Sequence, residues 1–479
     1  DRAAVVAAIK ERAQQRRHGV ENYLRAHGQP PGPLGVEAGA EGLIPSPPSG
    51  ARYLGAQWIT NSVTAEVTPA VLRALVERDD VVQVELVREI GWEDLLDRGN
   101  RTRPRRRARR ATASDLNATP GAEPAVTGPQ PRRQWSVKHI NAHKLWDEGL
   151  RGNGVVVAVI DTGVNATHPD LRNRMWDETL QRPGTIRNLV ERNNDTSDPD
   201  GHGTACAGII AGDGTMGLET GVAPGARIMP IRARGEAGIQ GAMQFAIDHG
   251  AHIISMSMSW PFREKPNYLF WRRICETVHA AGVVHVNSAG NEGSSTGSDG
   301  IPFNIGAPAN CPPPWLHGLQ TLRGGMSSAI ACGACNRKNA LSNQSGKGPA
   351  GWRTHPYIDY PYSLGNEMGL LKPDICAPGV GTQSCDARFS EADGGEAYTD
   401  FELTSAAAPH VSGCMALLVE ACIRAKTDIR PERFLEAVET TAKRLLGQTS
   451  DKENSCGAGC IDVLAAFRYG ADPQRKWWA

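Results

Sequence analysis

Between residues 131 and 470, short runs that are apolar at nearly every position alternate with longer stretches whose apolar residues recur every three or four positions. The runs are "VVVAVI" (155–160), "ARIMPIRA" (226–233), "AHIISMSMS" (251–259) and "GVVHVNSAG" (282–290). Between them lie "GIQGAMQFAIDHG" (238–250) and "YLFWRRICETVHAAG" (268–282), which have the helical period. A strand without a polar face must be covered on both sides, which is the condition of parallel strands between two helical layers. The pattern predicts an α/β fold with a doubly wound, mostly parallel sheet over 131–470, in which reactive groups gather at the carboxyl ends of the strands.

Upstream the pattern differs. Residues 1–28 read as an amphipathic helix, and 29–49 as a connector rich in proline and glycine. Strand-like "RYLGAQWITNSVTAEV", helical "TPAVLRALVERDD" and strand-like "VVQVELV" then make a small α+β unit over 50–95. Residues 96–130 carry "RTRPRRRARR" (101–110), a block of like charge that reads as a solvated linker and as a target for basic-specific proteases. No aromatic residues interleave with it, which argues against nucleic-acid binding. Residues 471–479 form a tail.

Composition narrows the partners. With 52 basic and 52 acidic residues the chain has no overall field to draw it to nucleic acid or to anionic lipid. It contains no uninterrupted apolar stretch of about 18 residues, so no membrane span is expected. Residues 1–28 are charged, unlike a signal peptide. The eleven cysteines allow three readings. Cys332, Cys335, Cys456 and Cys460 form two close pairs that would suit a four-thiolate zinc site. Others, such as Cys206, Cys376 and Cys414, stand where a small apolar residue would pack. Disulfides are the third.

Candidate chemistry lies at strand ends and helix starts. In "FELTSAAAPHVSG" (401–413) Pro409 suggests that Ser405 lies near a helix start, because proline lacks the N–H that an interior position needs. Ser405 then reads either as an N-cap or as a nucleophile favoured by the positive end of the helix dipole. Asp161 directly follows "VVVAVI", and His202 opens a second apolar helix in "DGHGTACAGII". Each alone has an ordinary reading as a turn, cap or exposed residue. Together they offer a nucleophile, a general base and an orienting carboxylate on one sheet.

"VIDTGVNATHPDL" (159–171), "DGHGTACAGIIAG" (200–212) and "TSAAAPHVSG" (404–413), in the order Asp, His, Ser, resemble the motifs of the subtilisin-like serine proteases, or subtilases. "GVAPGARIMPIR", "NSAGNEG", "KPDICAPGV" and "GAGCIDVLAAF" extend the resemblance, and "CPPPW" (311–315) is similar to bacterial relatives of the bacillopeptidase type. The resemblance implies a serine endopeptidase. Ser405 would attack the scissile carbonyl, His202 would take its proton, Asp161 would orient the imidazole, and Asn291 would donate to the oxyanion. It also implies that peptide binds as an added strand along Ser257, Met258 and Ser259, with its primary side chain between Met258 and Ser288, Ala289 and Gly290.

Asp170 would match a calcium ligand, with Asp213, Thr215 and Glu219 supplying further oxygens. The chemistry itself would need no cofactor. Residues 50–95 resemble the family's inhibitory propeptide, which implies a zymogen that acts as its own inhibitor. Expected partners are therefore a protein or peptide substrate and the chain's own propeptide, with the protein a monomer and no nucleic acid or membrane involved. Export is the family's usual fate, while many thiols and no visible signal suit a reducing interior.

Two departures bear on activity. Ser259 and Trp260 stand where the family usually has small, glycine-rich residues, so the cleft would be narrowed unless Trp260 packs outward. Leu403 stands where glycine precedes Thr404, and it would crowd the cleft, alter specificity or mark a loop that has moved. The alternative to an enzyme is a catalytically silent subtilase fold that binds peptides or partners.

Overall fold

The computed structural model describes residues 2–26, 51–81, 83–84, 131–176, 187–295, 300–312, 328–352, 360, 369–392 and 394–478. The expected connector (29–49) and Arg-rich linker (96–130) lie outside them, as do most of "CPPPW" and residues 85–87 of "VVQVELV". Residues 81, 83 and 84, which are described, are not in a strand.

The N-terminal region contains α1 (Arg2–Ala26), β1 (Ala51–Gln57), β2 (Ser62–Val67) and α2 (Pro69–Val76). β1 pairs antiparallel with β2. A two-stranded sheet cannot bury an apolar face by itself, and α1 helps to cover it. Leu24 of α1 is buried with Val71 and Leu75 of α2, and Arg17 donates to the Gln57 carbonyl at 3.0 Å. The N-terminal helix is thus part of the same unit as residues 51–81.

Six strands form the central sheet: β3 (Val156–Asp161), β4 (Arg227–Arg232), β5 (Ile253–Met256), β6 (Val284–Ser288), β7 (Ile330–Cys335) and β8 (Ile375–Pro378). Their order is β8-β7-β6-β5-β3-β4 and every pair is parallel. β3 has β4 on one side and β5 on the other, so the winding reverses there, at the kind of switch point where open α/β sheets place their sites. Alternate residues of β3 face opposite layers. Val157 and Val159 pack towards α3 (His202–Ala211) and α6 (Thr404–Ala425). Ala158 and Ile160 pack towards α4 (Gly235–Asp248) and α5 (Tyr268–Ala280). This two-sided burial is the doubly wound arrangement that the apolar runs imply.

α6 is long and apolar enough to cross a membrane by length and composition alone, but 94% of its apolar window is buried inside the fold, as in a core helix. Its one buried charge is Glu420, 1% exposed. That carboxylate accepts from Arg151 N (2.7 Å), Gly152 N (2.5 Å) and Asn153 Nδ2 (3.3 Å), tying α6 to the turn that leads into β3.

The N-terminal unit rests on α4. Trp58 N donates to Gln244 Oε1 at 2.8 Å, Lys10 pairs with Asp248 at 2.5 Å, and Arg2 donates to the Ala251 carbonyl at 2.8 Å.

All eleven cysteines are buried and unpaired. Among the described residues, clusters of three potential metal ligands occur only at Asp161–His202–Cys206 and His168–Asp170–Cys385. Cys332, Cys335, Cys456 and Cys460 form no such cluster, although Cys335 and Cys460 share a side-chain hydrogen bond and His139 bonds Cys460.

Replacing Glu420 by alanine would leave the Arg151 and Gly152 amides without that acceptor. The expected loss is about 1–3 kcal/mol of stability, measured as a lower denaturant midpoint with an unchanged slope.

Candidate active site

Asp161 stands at the carboxyl end of β3, and its Oδ1 accepts from His202 Nδ1 at 2.8 Å and from Thr162 N at 2.8 Å. His202 is the first residue of α3, after Gly201 at φ 100°. The helix start can press against the strand end because Gly203 has no side chain, since a Cβ there would lie 2.1 Å from the Gly163 carbonyl oxygen. Asp198, which the sequence reading did not single out, clamps this junction. One of its oxygens accepts from Thr162 Oγ1 at 2.8 Å and from Gly201 N at 2.8 Å, the other from Thr204 N at 2.8 Å.

A carboxylate can only accept, so in the neutral ring Nδ1 of His202 carries the proton and Nε2 presents a lone pair. Nε2 is buried without a hydrogen-bond partner in the structure. Burial disfavours the charged imidazole, but the charge of Asp161 and its hydrogen bond outweigh it and hold the His202 pKa well above its usual value. Cys206 lies one turn further along α3. Its Sγ is 3.7 Å from Asp161 Oδ2 and 3.9 Å from His202 Nδ1, and the Phe401 ring packs T-shaped with the imidazole at 5.1 Å between centroids.

Ser405 is the second residue of α6, and Leu403 occupies the cap position with no side-chain cap bond. The N-cap reading of Ser405 is therefore set aside. Pro409 lies inside the helix rather than in its unpaired first turn. In a regular helix the N–H of residue 409 would bond the carbonyl of Ser405, and proline removes that donor. The vacated carbonyl accepts instead from Ser257 Oγ at 3.0 Å, with Cys206 Sγ at 3.8 Å. Ser405 Oγ in turn donates to the Ser257 carbonyl at 3.4 Å. The nucleophile candidate is thus tied to the segment leaving β5, and Cys206 touches both it and the Asp161–His202 pair. The Ser405 hydroxyl rests on Ser257 rather than on His202.

Leu403 has φ 66° and ψ −158°, a region essentially reserved for glycine. Such a residue costs on the order of 1–3 kcal/mol and persists only where its surroundings fix it. Here its N–H donates to the Gly379 carbonyl at 2.5 Å and its carbonyl accepts from Ala406 N and Ala407 N at 3.1 Å each. The leucine thus keeps a glycine-like backbone at the helix start. Asn291 Oδ1 accepts from Thr404 N at 3.1 Å and Thr404 Oγ1 at 2.7 Å. These two donors fix the amide, so that its donor end, Nδ2, is turned away from Thr404.

Ser257, Met258 and Ser259 follow β5, while Ser288 ends β6 and Ala289 and Gly290 follow it, so the two segments leave neighbouring strands side by side. Trp260 neither faces outward nor reaches the surface. It is 0% exposed, packs on Trp271 with centroids 4.7 Å apart, and pairs through its main chain with Ala307 at 2.8 and 2.9 Å.

The expected calcium ligands do not fit a calcium ion, because their oxygens already have partners. Asp170 Oδ1 accepts from Met216 N at 2.8 Å and its Oδ2 from the Tyr398 hydroxyl at 2.8 Å. Asp213 accepts from Thr215 Oγ1 at 2.6 Å and pairs with Arg174 at 3.5 Å. Glu219 pairs with Arg133 at 3.0 Å. Arginines thus supply positive charge where a cation was expected. His168, beside Asp170, also has both ring nitrogens engaged, with the Asp170 amide at 3.2 Å and the Ala397 carbonyl at 2.9 Å.

Burial pushes the Asp170 carboxyl up to about 6 from 3.8, against the opposing pull of its Tyr398 and Met216 hydrogen bonds. An acid whose pKa is higher in the folded state retains its proton there after the unfolded chain has lost it, so stability falls as pH rises. The expected fall spans pH 3.8 to about 6. Thermal unfolding of Asp170→Asn across that range should lack this component, and chelator should leave the wild-type midpoint unchanged.

Comparison with known proteins matches the sequence to a family. The model of the "Subtilase family" matches residues 152–459, which contain all three motif residues. Subtilisin NAT of Bacillus subtilis subsp. natto and Subtilisin E of Bacillus subtilis (strain 168) are each 29% identical over 292 residues, 60% of this chain and 60% of theirs. Subtilisin BL of Lederbergia lenta is 28% identical over 341 residues, 70% of this chain and 98% of its own. The chain thus matches about 60% of the length of the first two relatives. With the family model covering well over half of its residues, the chain belongs to the subtilase family.

Proposed function

We propose that the protein is a serine endopeptidase that hydrolyses peptide bonds through Ser405, His202 and Asp161. The observation that carries this reading is the 2.8 Å bond from His202 Nδ1 to Asp161 beside a Ser405 whose backbone is tied to Ser257. With Nδ1 protonated and held, Nε2 is the lone pair that takes the Ser405 proton as the hydroxyl attacks the scissile carbonyl. Reaching Nε2 requires the Ser405 side chain to turn away from the Ser257 carbonyl, and catalytic hydrogen bonds are commonly loose before substrate binds. The resulting imidazolium is stabilised by Asp161 and returns its proton to the leaving amine. The tetrahedral oxyanion is received by Asn291 Nδ2 and the Ser405 backbone N–H. Peptide adds as an extended strand along Ser257, Met258 and Ser259, with its primary side chain directed between that segment and Ser288, Ala289 and Gly290. No cofactor enters these steps.

The N-terminal unit acts in this reading as an intramolecular inhibitor, with the chain made as a zymogen and the active form a monomer, exported as is usual for the family. Its docking on α4, through Trp58, Lys10 and Arg2, supports a joint role for residues 2–26 and 51–81. A second reading, a silent fold that binds peptide without cleaving it, is favoured by the Ser405 hydroxyl resting on Ser257 rather than on His202.

A fluorophosphonate probe separates the two. The enzyme reading predicts labelling of Ser405 that is lost in His202→Ala, and a silent fold would remain unlabelled. Asn291→Ala should lower kcat by about 10²–10³-fold. Because His202 titrates well above its usual 6.5, kcat/KM should rise with pH through an apparent pKa above that value. Asp161→Asn should move this pKa down. Mass spectrometry should find cuts within 96–130 in the wild-type chain and an intact Ser405→Ala chain.

A further inference from the structure

We infer that Ser259 limits the residue on the acyl side of the scissile bond to glycine, alanine or serine; this rests on the peptidase reading above and names its substrate class. Ser405 is held between two segments. Ser257 meets it through the bonds at 3.0 and 3.4 Å, and Asn291 meets Thr404 beside it. These segments leave β5 and β6, which are neighbours with Met256 opposite Asn287. In the peptidase reading, a residue whose carbonyl faces the Ser405 hydroxyl sends its side chain into the gap between 257–259 and 288–290.

The far side of that gap is closed by Gly306. Its N–H donates to the Ala289 carbonyl at 3.2 Å, and the next residue, Ala307, exchanges two hydrogen bonds with Trp260. A Cβ placed on Gly306 would lie 2.8 Å from Ser259 Cβ and 2.9 Å from Ser259 Oγ. A Cβ placed on Gly290, across the gap, would lie 3.4 Å from the same hydroxyl and 2.7 Å from Glu292 Oε2. Ser259 thus stands directly against the floor and close to the opposite wall, and it is 8% exposed. Its backbone has little room to retreat, because Trp260 is fully buried against Trp271 and is pinned to Ala307 on both of its main-chain groups. Ser259 thus takes up part of the gap that a substrate side chain would fill, which favours the smallest side chains. A larger side chain would need the packed frame to move, which close-packed interiors resist.

The test labels the purified full-length protein with three probes: a plain fluorophosphonate, and two otherwise identical peptidyl phosphonates ending in alanine or phenylalanine. The expected result is labelling of Ser405 by all that fit, with the alanine probe reacting at least about tenfold faster than the phenylalanine probe, the scale on which pockets discriminate by size. Ser259→Gly should remove or invert that preference. Ser259→Ala, which keeps the Cβ, should retain it and so separates bulk from hydroxyl chemistry. Equal or faster reaction of the phenylalanine probe with wild type, or an unchanged ratio in Ser259→Gly, overturns the inference while leaving the peptidase reading intact. Failure of the plain fluorophosphonate to label Ser405 overturns both.

Discussion

The absent N–H of Pro409 is the constraint from which the arrangement around Ser405 follows. A carbonyl in the first turn of a buried helix needs a donor, and losing one costs about as much as a buried hydrogen bond is worth. Here the donor comes from Ser257, at the end of a strand two places from the sheet edge, so the start of α6 is fixed to the sheet rather than only to itself. The same bond brings residues 257–259 alongside the hydroxyl. A local defect in a helix thus becomes a long-range tether, and the strained Leu403 turn that precedes it is held by Gly379 from the other side.

The second half of the site depends on the sheet. Because β3 is buried on both faces, the first polar side chain it presents is Asp161, at its end, where α3 delivers His202 at hydrogen-bonding distance. Glu420 then joins the two halves, since it bonds the turn entering β3 from within α6. The three motifs are brought together by three kinds of contact: a strand end, a helix start and a buried carboxylate. Each draws its strength from exclusion of water; at His202 burial itself works against the charged imidazole, and the charge and hydrogen bond of Asp161 raise its affinity for the proton.

The strands and the central helix were legible in the sequence because burial on two faces and helical periodicity both leave a local pattern. Asp161, His202 and Ser405 were legible as residues placed at the ends of those patterns. What escaped was every feature defined by a distant partner. The Tyr398 hydroxyl that occupies Asp170 is 228 residues away, and no local pattern announces it. The arginines that pair with Asp213 and Glu219 are scattered in the same way, and for that reason the loop read as a cation site. Pro409 read as the mark of a helix start, whereas its effect is on a carbonyl one turn earlier. Trp260 read as a surface choice between cleft and solvent, but Trp271 and Ala307 provide an interior seat for it. α1 read as separate because the chain that joins it to residue 51 carries no structural signal, while its apolar side finds α2 only in three dimensions.

The central claim is that Ser405 can reach His202 by turning its side chain alone, with its backbone held in place by Ser257. A crystal structure of the phosphonylated full-length protein tests this most directly. The account predicts phosphorus on Ser405 Oγ, that oxygen within hydrogen-bonding distance of His202 Nε2, and Ser257 Oγ still donating to the Ser405 carbonyl. A helix start that has shifted away from Ser257, or a phosphonylated Ser405 still turned away from the imidazole, would contradict it.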